Sequence, residues 1–115
     1  MIKPILGIQL YTLRDFCKNP ADFADTIKFV KDLGSNLVQI SGVGNDEPIP
    51  AQSQKEILEA VGVEACLTHT PWDRIINDTH AVIEEHKLIG CRCVGLGSPG
   101  EEYRTTKENA NRFIA

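Results

Sequence analysis

No stretch of the 115 residues reaches the roughly 18 unbroken apolar positions that a membrane-spanning helix requires. The N-terminus, MIKPILGIQL, has no signal h-region or cleavage site and runs straight into a strand pattern, so the cytoplasm is the expected address. Lys and Arg form no cluster and the net charge is −4, which argues against a phosphate-backbone surface, so no nucleic-acid partner is expected. The four cysteines, Cys17, Cys66, Cys91 and Cys93, contain no paired CxxC spacing and read as free, mostly buried thiols. As strand residues, Cys91 and Cys93 would share one face, with Cys66 on a neighbouring strand. Carboxylates do not gather either: Asp46 and Glu47 fall in a loop, and Glu101 and Glu102 are adjacent, so they cannot both aim inward.

What is present has a period. Gly34, Gly62 and Gly90 stand 28 residues apart, each closing an amphipathic stretch and opening a short apolar run. With 42% hydrophobic and 24% charged residues the composition is ordinary globular, enough for one domain over residues 1–115. Ile5, Leu6, Ile8 and Leu10 make a near-continuous apolar run, the pattern of a strand covered on both faces. Asn19, Pro20 and Asp22 supply an N-cap, a first-turn proline and a carboxylate at the positive end of the helix dipole. Phe23, Ile27, Val30 and Leu33 recur at helical spacing up to Gly34, and Leu37 to Ile40 makes the second strand.

Ile57, Leu58 and Val61 form the face of a second helix, and Val63 to Thr68 a third strand. Asn77 or Asp78 caps a third helix that buries Val82, Ile83 and Ile89, and a fourth strand runs from about Cys91 to Leu96. Thr105 and Glu108 have the spacing of a capping box, so a fourth helix begins and is cut short at Ala115. Strands joined through helices of this length are parallel. A doubly wound sheet and part of an eight-unit barrel both satisfy that pattern, and both collect functional groups in the loops after the strands' carboxyl ends.

Those loops carry Gln9 to Arg14, Gln39 to Gly44, Thr68 to Arg74 and Gly97 to Arg104, a polar and aromatic set suited to a polyhydroxylated ligand. Gly95 to Gly100 matches G-x-G-x-x-G by letter, yet no second strand follows, and Glu101 and Glu102 would sit where a pyrophosphate should bind. It reads as a loop. His80 and His86, six apart, share no ligand-forming face and read as surface or packing residues.

The strings Gly7-Ile8-Gln9-Leu10-Tyr11-Thr12-Leu13-Arg14, Val38-Gln39-Ile40-Ser41-Gly42, Leu67-Thr68-His69-Thr70-Pro71-Trp72-Asp73-Arg74, Gly90 through Ser98, and Glu101-Glu102-Tyr103-Arg104 together resemble the sugar phosphate isomerase/epimerase family, the xylose-isomerase-like barrel group. The resemblance runs the length of the chain and is most specific at THTPWDR and IEEHKLIGCRCVGLGS. It implies an α/β fold of four parallel β/α units, the first half of a (β/α)8 TIM barrel with its last helix truncated.

In the family a divalent metal polarises the sugar while acidic groups move a proton between adjacent carbons. The metal ligands come from the last four strands, so the resemblance implies no metal site and no cofactor for this chain alone, and leaves its own enzyme activity uncertain. It assigns a sugar or sugar phosphate as ligand, His69 as the catalytic match, and Tyr11, Gln39, His69, Trp72 and Ser98 to substrate contact. Tyr11 and Trp72 have rim packing as an equal alternative, and Gln39 stands where many relatives carry glutamate. Arg14, Asp73, Arg74 and Arg104 read as pairing with one another or with loop backbones.

Three functional classes stay open: half of an isomerase or epimerase, a non-catalytic carbohydrate- or phosphate-binding module, and a fragment that self-associates. An opened half barrel exposes the edges of strands one and four and one whole apolar sheet face. A homodimer in which two halves complete each other is the expected assembly.

Overall fold

The computed structural model describes residues 2–115. Strands β1 (Ile8–Gln9), β2 (Leu37–Ile40), β3 (Glu64–His69) and β4 (Val94–Gly95) form one parallel sheet in the order β1-β2-β3-β4. Helices α1 (Pro20–Asp32), α2 (Ala51–Val61), α3 (Trp72–Asn77), α4 (Thr79–Ile89) and α5 (Lys107–Ile114) lie between and after them, with 3-10 turns at Leu10–Phe16 and Glu101–Tyr103. Sequential order decides between the two architectures: a doubly wound sheet reverses direction beside its first strand, whereas a barrel adds each strand to the last. This is the order of half a TIM barrel.

The local signals act as their chemistry dictates. The side chain of Asn19 accepts the Asp22 N–H at 2.9 Å and donates back to the Asp22 carboxylate at 2.9 Å, so the entrance of α1 is capped twice over. Phe23, Ile27 and Val30, at i, i+4 and i+7, are fully buried against the sheet and each contributes about 1.5–3 kcal/mol of burial. Gly62 and Gly90 end α2 and α4 at φ +74°, where a side chain would be strained. The core lies between this helix layer and one sheet face, with Val38, Ile40 and Ala65 from the strands meeting Leu58 and Val63.

Several expectations shift. The first strand is two residues long, with Ile5 and Leu6 81% exposed, and Leu10 already opens the 3-10 turn. An edge strand has one pairing partner only, so an apolar run outlasts its hydrogen bonds. The fourth strand is likewise Val94–Gly95; Cys91 and Cys93 precede it, and of the four thiols Cys66 and Cys93 are exposed while Cys17 and Cys91 are buried. A six-residue helix, α3, occupies part of the expected third loop. Ile83 is 40% exposed, and the buried face of α4 is Val82 with His86. The last helix is capped by Thr106, which accepts the Asn109 N–H at 3.1 Å, one residue later than the expected box; Thr105 instead donates to the Glu102 carbonyl.

The sheet's second face also differs from expectation. Pairing and alternation place Leu37, Gln39, Leu67 and His69 on the side away from the helices, with Gln9 beside Gln39. It is a mixed face, polar toward the strands' carboxyl ends.

Candidate functional site

A β-bulge aims the central residue. Val38 pairs with Ala65 but Gln39 pairs with Leu67, so Cys66 is an extra residue in β3, its thiol donating to the Val38 carbonyl at 3.3 Å. An unbulged strand would send Leu67 and His69 toward the helices and Thr68 to the open face. The extra residue reverses this: Thr68 turns into the helix layer and His69 emerges, exposed, on the open face beside Gly95.

Thr68 is then anchored from behind. Its Oγ1 lies 2.7 Å from His86 Nε2 and 3.1 Å from Thr70 Oγ1, and His86 Nδ1 lies 2.7 Å from the Val82 carbonyl. A carbonyl only accepts, so Nδ1 carries the proton and donates; Nε2 accepts from Thr68, and Thr70 donates to Thr68. All three side chains are buried, and the chain of bonds clamps the end of β3 to α4. The sequence signal that marks His86 is its place on the face shared by Val82 and Ile89.

Around His69 the candidate residues divide. Gln39 shares the face one strand away, and Gly97 approaches so closely that a Cβ there would stand 3.1 Å from His69 Nδ1; the adjacent Ser98 is exposed in the loop after β4. Tyr11 is the second residue of the 3-10 turn, half exposed, with its ring over Gly42: at φ +65° a Cβ on Gly42 would stand 2.7 Å from the ring. The Arg14 guanidinium lies over that ring, 4.6 Å from its centroid, and donates to the Tyr11 carbonyl at 3.0 Å. Trp72 lies in an aromatic cluster, 4.9 Å from Phe113 and 6.3 Å from Tyr103 between centroids, which joins α3 to α5.

Arg74 forms a forked pair with Glu85, both distances 3.0 Å, and those hydrogen bonds hold its guanidinium above the ordinary pKa. Burial pushes the Cys17 and Cys91 thiols up, against weaker opposing hydrogen bonds. Among the described residues no group of three or more His, Cys, Asp or Glu is placed to hold a metal ion. His69 has the neutral amide of Gln39 on the next strand, so the divalent metal that the family resemblance implies does not fit the residues of this chain.

The G-x-G-x-x-G string builds no phosphate cradle. Gly100 is followed by the short 3-10 turn, and a Cβ at Gly100 would stand 2.6 Å from the Glu102 carboxylate, which folds over it. No helix among the described residues is long and apolar enough to cross a membrane.

No protein-family model matches the chain, and no curated protein does. Among solved structures it is similar to the crystal structure of a xylose isomerase domain-containing protein from Salmonella typhimurium LT2, with a TM-score of 0.63 and 14% identity over 97% of this chain. The chain spans 46% of that protein's length, and at this identity the likeness bears on the fold: four β/α units laid out as half of a TIM barrel.

Proposed function

We propose that this chain supplies the substrate-side half of a sugar or sugar phosphate isomerase or epimerase barrel and turns over no substrate alone. The observation that carries the reading is the open face at the strands' carboxyl ends, which exposed His69 shares with Gln39; Tyr11 and Ser98, in the loops after β1 and β4, are assigned to the same ligand. Amides and hydroxyls of this kind pair with both the donors and the acceptors of a polyol, and the imidazole is the one group among them suited to general acid–base chemistry.

The same inventory supports the second reading, a carbohydrate-binding module, because no carboxylate stands beside His69 to share the proton transfer. Four free thiols suit a reducing compartment, in line with a cytoplasmic address. We place a second copy of the chain at the open edges: a twofold axis that sets β4 of one copy beside β1 of its partner does so twice and closes eight strands.

Ligand-observed NMR with a panel of aldoses, ketoses and their phosphates tests the reading, alongside isomerisation assays with added divalent metal. His69→Ala and Gln39→Ala are each expected to weaken sugar binding about tenfold, the worth of a lost hydrogen-bond partner, with unchanged thermal stability. Sugar binding that ignores both substitutions, or no binding at all, overturns it.

A further inference from the structure

Between the loop after β2 and the helices after β3 lies a cleft of about 550 Å³. Ile40 and Thr68, which face the helix layer, form part of its wall, so it stands mostly outside the open sheet face and touches it at His69.

Two features of this cleft have hydrogen-bonding capacity that the fold leaves unused. Ser41 lines it, is only 4% exposed, and its Oγ has no hydrogen-bond partner. A buried hydroxyl without a partner is a cost to the folded state that the protein alone does not offset. Because that hydroxyl holds no bond, a turn about χ1 toward the cleft breaks none.

The second feature is the start of α2. Pro50 occupies the cap position, no side chain caps the helix, and both Pro50 and Ala51 line the cleft. The first-turn N–H groups of this 11-residue helix therefore stand at the positive end of its dipole without a capping acceptor. Arg74 reaches the same space. Its fork to Glu85 uses one N–H on each terminal nitrogen and its Nε faces the Asp78 carboxylate at 3.8 Å, so the second N–H on each terminal nitrogen is what remains to turn to a ligand.

We propose that this cleft binds a small tetrahedral oxyanion, a phosphate ion or the phosphoryl group of an ester, held by the Ser41 hydroxyl, the first-turn N–H groups of α2 and Arg74. The proposal stands apart from the carbohydrate reading, since its probe carries no sugar and its variants leave His69 in place.

The test is titration of the full chain, in phosphate-free buffer, with inorganic phosphate and separately with methyl phosphate, followed by amide chemical shifts and calorimetry. Saturable shifts are expected at Ala51, Gln52 and Ser53. Ser41→Ala is expected to weaken binding about tenfold, the worth of one hydrogen bond to a charged group, while melting at the same or a higher temperature. A merely structural hydroxyl would instead lower the melting temperature when removed. Binding of both probes assigns the site to phosphoryl esters, and binding of inorganic phosphate alone assigns it to the free ion. Absence of saturable shifts at tens of millimolar, or an affinity untouched by Ser41→Ala, overturns the proposal.

Discussion

Replacing Thr68 by Val keeps the shape of the side chain and removes its hydroxyl. The structure makes the consequence calculable in outline, because that hydroxyl donates to His86 Nε2 at 2.7 Å and accepts from Thr70 at 3.1 Å. Val leaves two buried polar atoms stranded, on residues only 7% and 8% exposed. Each stranded group costs about 1–3 kcal/mol, so the variant is expected to lose about 2–6 kcal/mol, which for a chain of this size lowers the melting temperature on the order of 10 °C.

Thr68→Ser provides the control. It keeps both hydrogen bonds and sheds one methyl group, at a cost of about 1 kcal/mol. The double variant Thr68→Val, His86→Leu removes both members of the stronger bond and is expected to recover part of the loss, since two apolar partners strand less than one. Urea unfolding followed by circular dichroism reads all three. A Val variant within about 0.5 kcal/mol of the parent, or a Ser variant less stable than Val, refutes the claim that this network clamps β3 to α4.

Glycine substitutions separate backbone strain from collision. Gly90→Ala forces an alanine to φ +74° in open space and is expected to cost about 1–2 kcal/mol, whereas a Cβ at Gly95 would overlap the Thr68 carbonyl oxygen, so Gly95→Ala is expected to unfold the chain at a distinctly lower temperature. Native-state thiol titration is expected to find Cys66 and Cys93 reacting quickly and Cys17 and Cys91 slowly; four fast thiols would contradict the burial. Burial raises the pKa of Cys17 and Cys91, so the unfolded chain releases those protons first, and stability is expected to fall as pH climbs above about 8.5, less steeply in Cys17→Ala. Light scattering on a sizing column is expected to give the mass of a dimer, and a clean monomer would count against the paired half barrels.

The parts of the fold that are legible in the sequence are those decided within a few residues. A cap such as Asn19 with Asp22, or a glycine stop such as Gly62, works through atoms three or four positions apart, and both lie where the pattern puts them. The parts that are not legible depend on partners far along the chain. Ile5 and Leu6 read as strand because their apolarity is local, yet a strand needs a neighbour, and here the pairing begins only at Ile8. Helix α3 hides behind Pro71 and has too few turns to show a period.

The site divides along the same line. His69 and Gln39 are visible as polar residues at strand ends, but which face His69 takes is set by one extra residue, Cys66, that alternation alone places wrongly. Counting by twos from Ala65 would turn His69 into the helix layer and leave Thr68 in the open. The burial of Thr68 against His86 shows why the bulge is worth its unpaired residue. A threonine has a partner waiting inside, 2.7 Å away, and a histidine sent there would meet another histidine and lose its solvent. The candidate imidazole therefore owes its place on the open face to a hydrogen bond made by its neighbour on the opposite face. That is why a change at Thr68 or His86, neither of which touches the face, is expected to disturb ligand binding at His69 as well as stability.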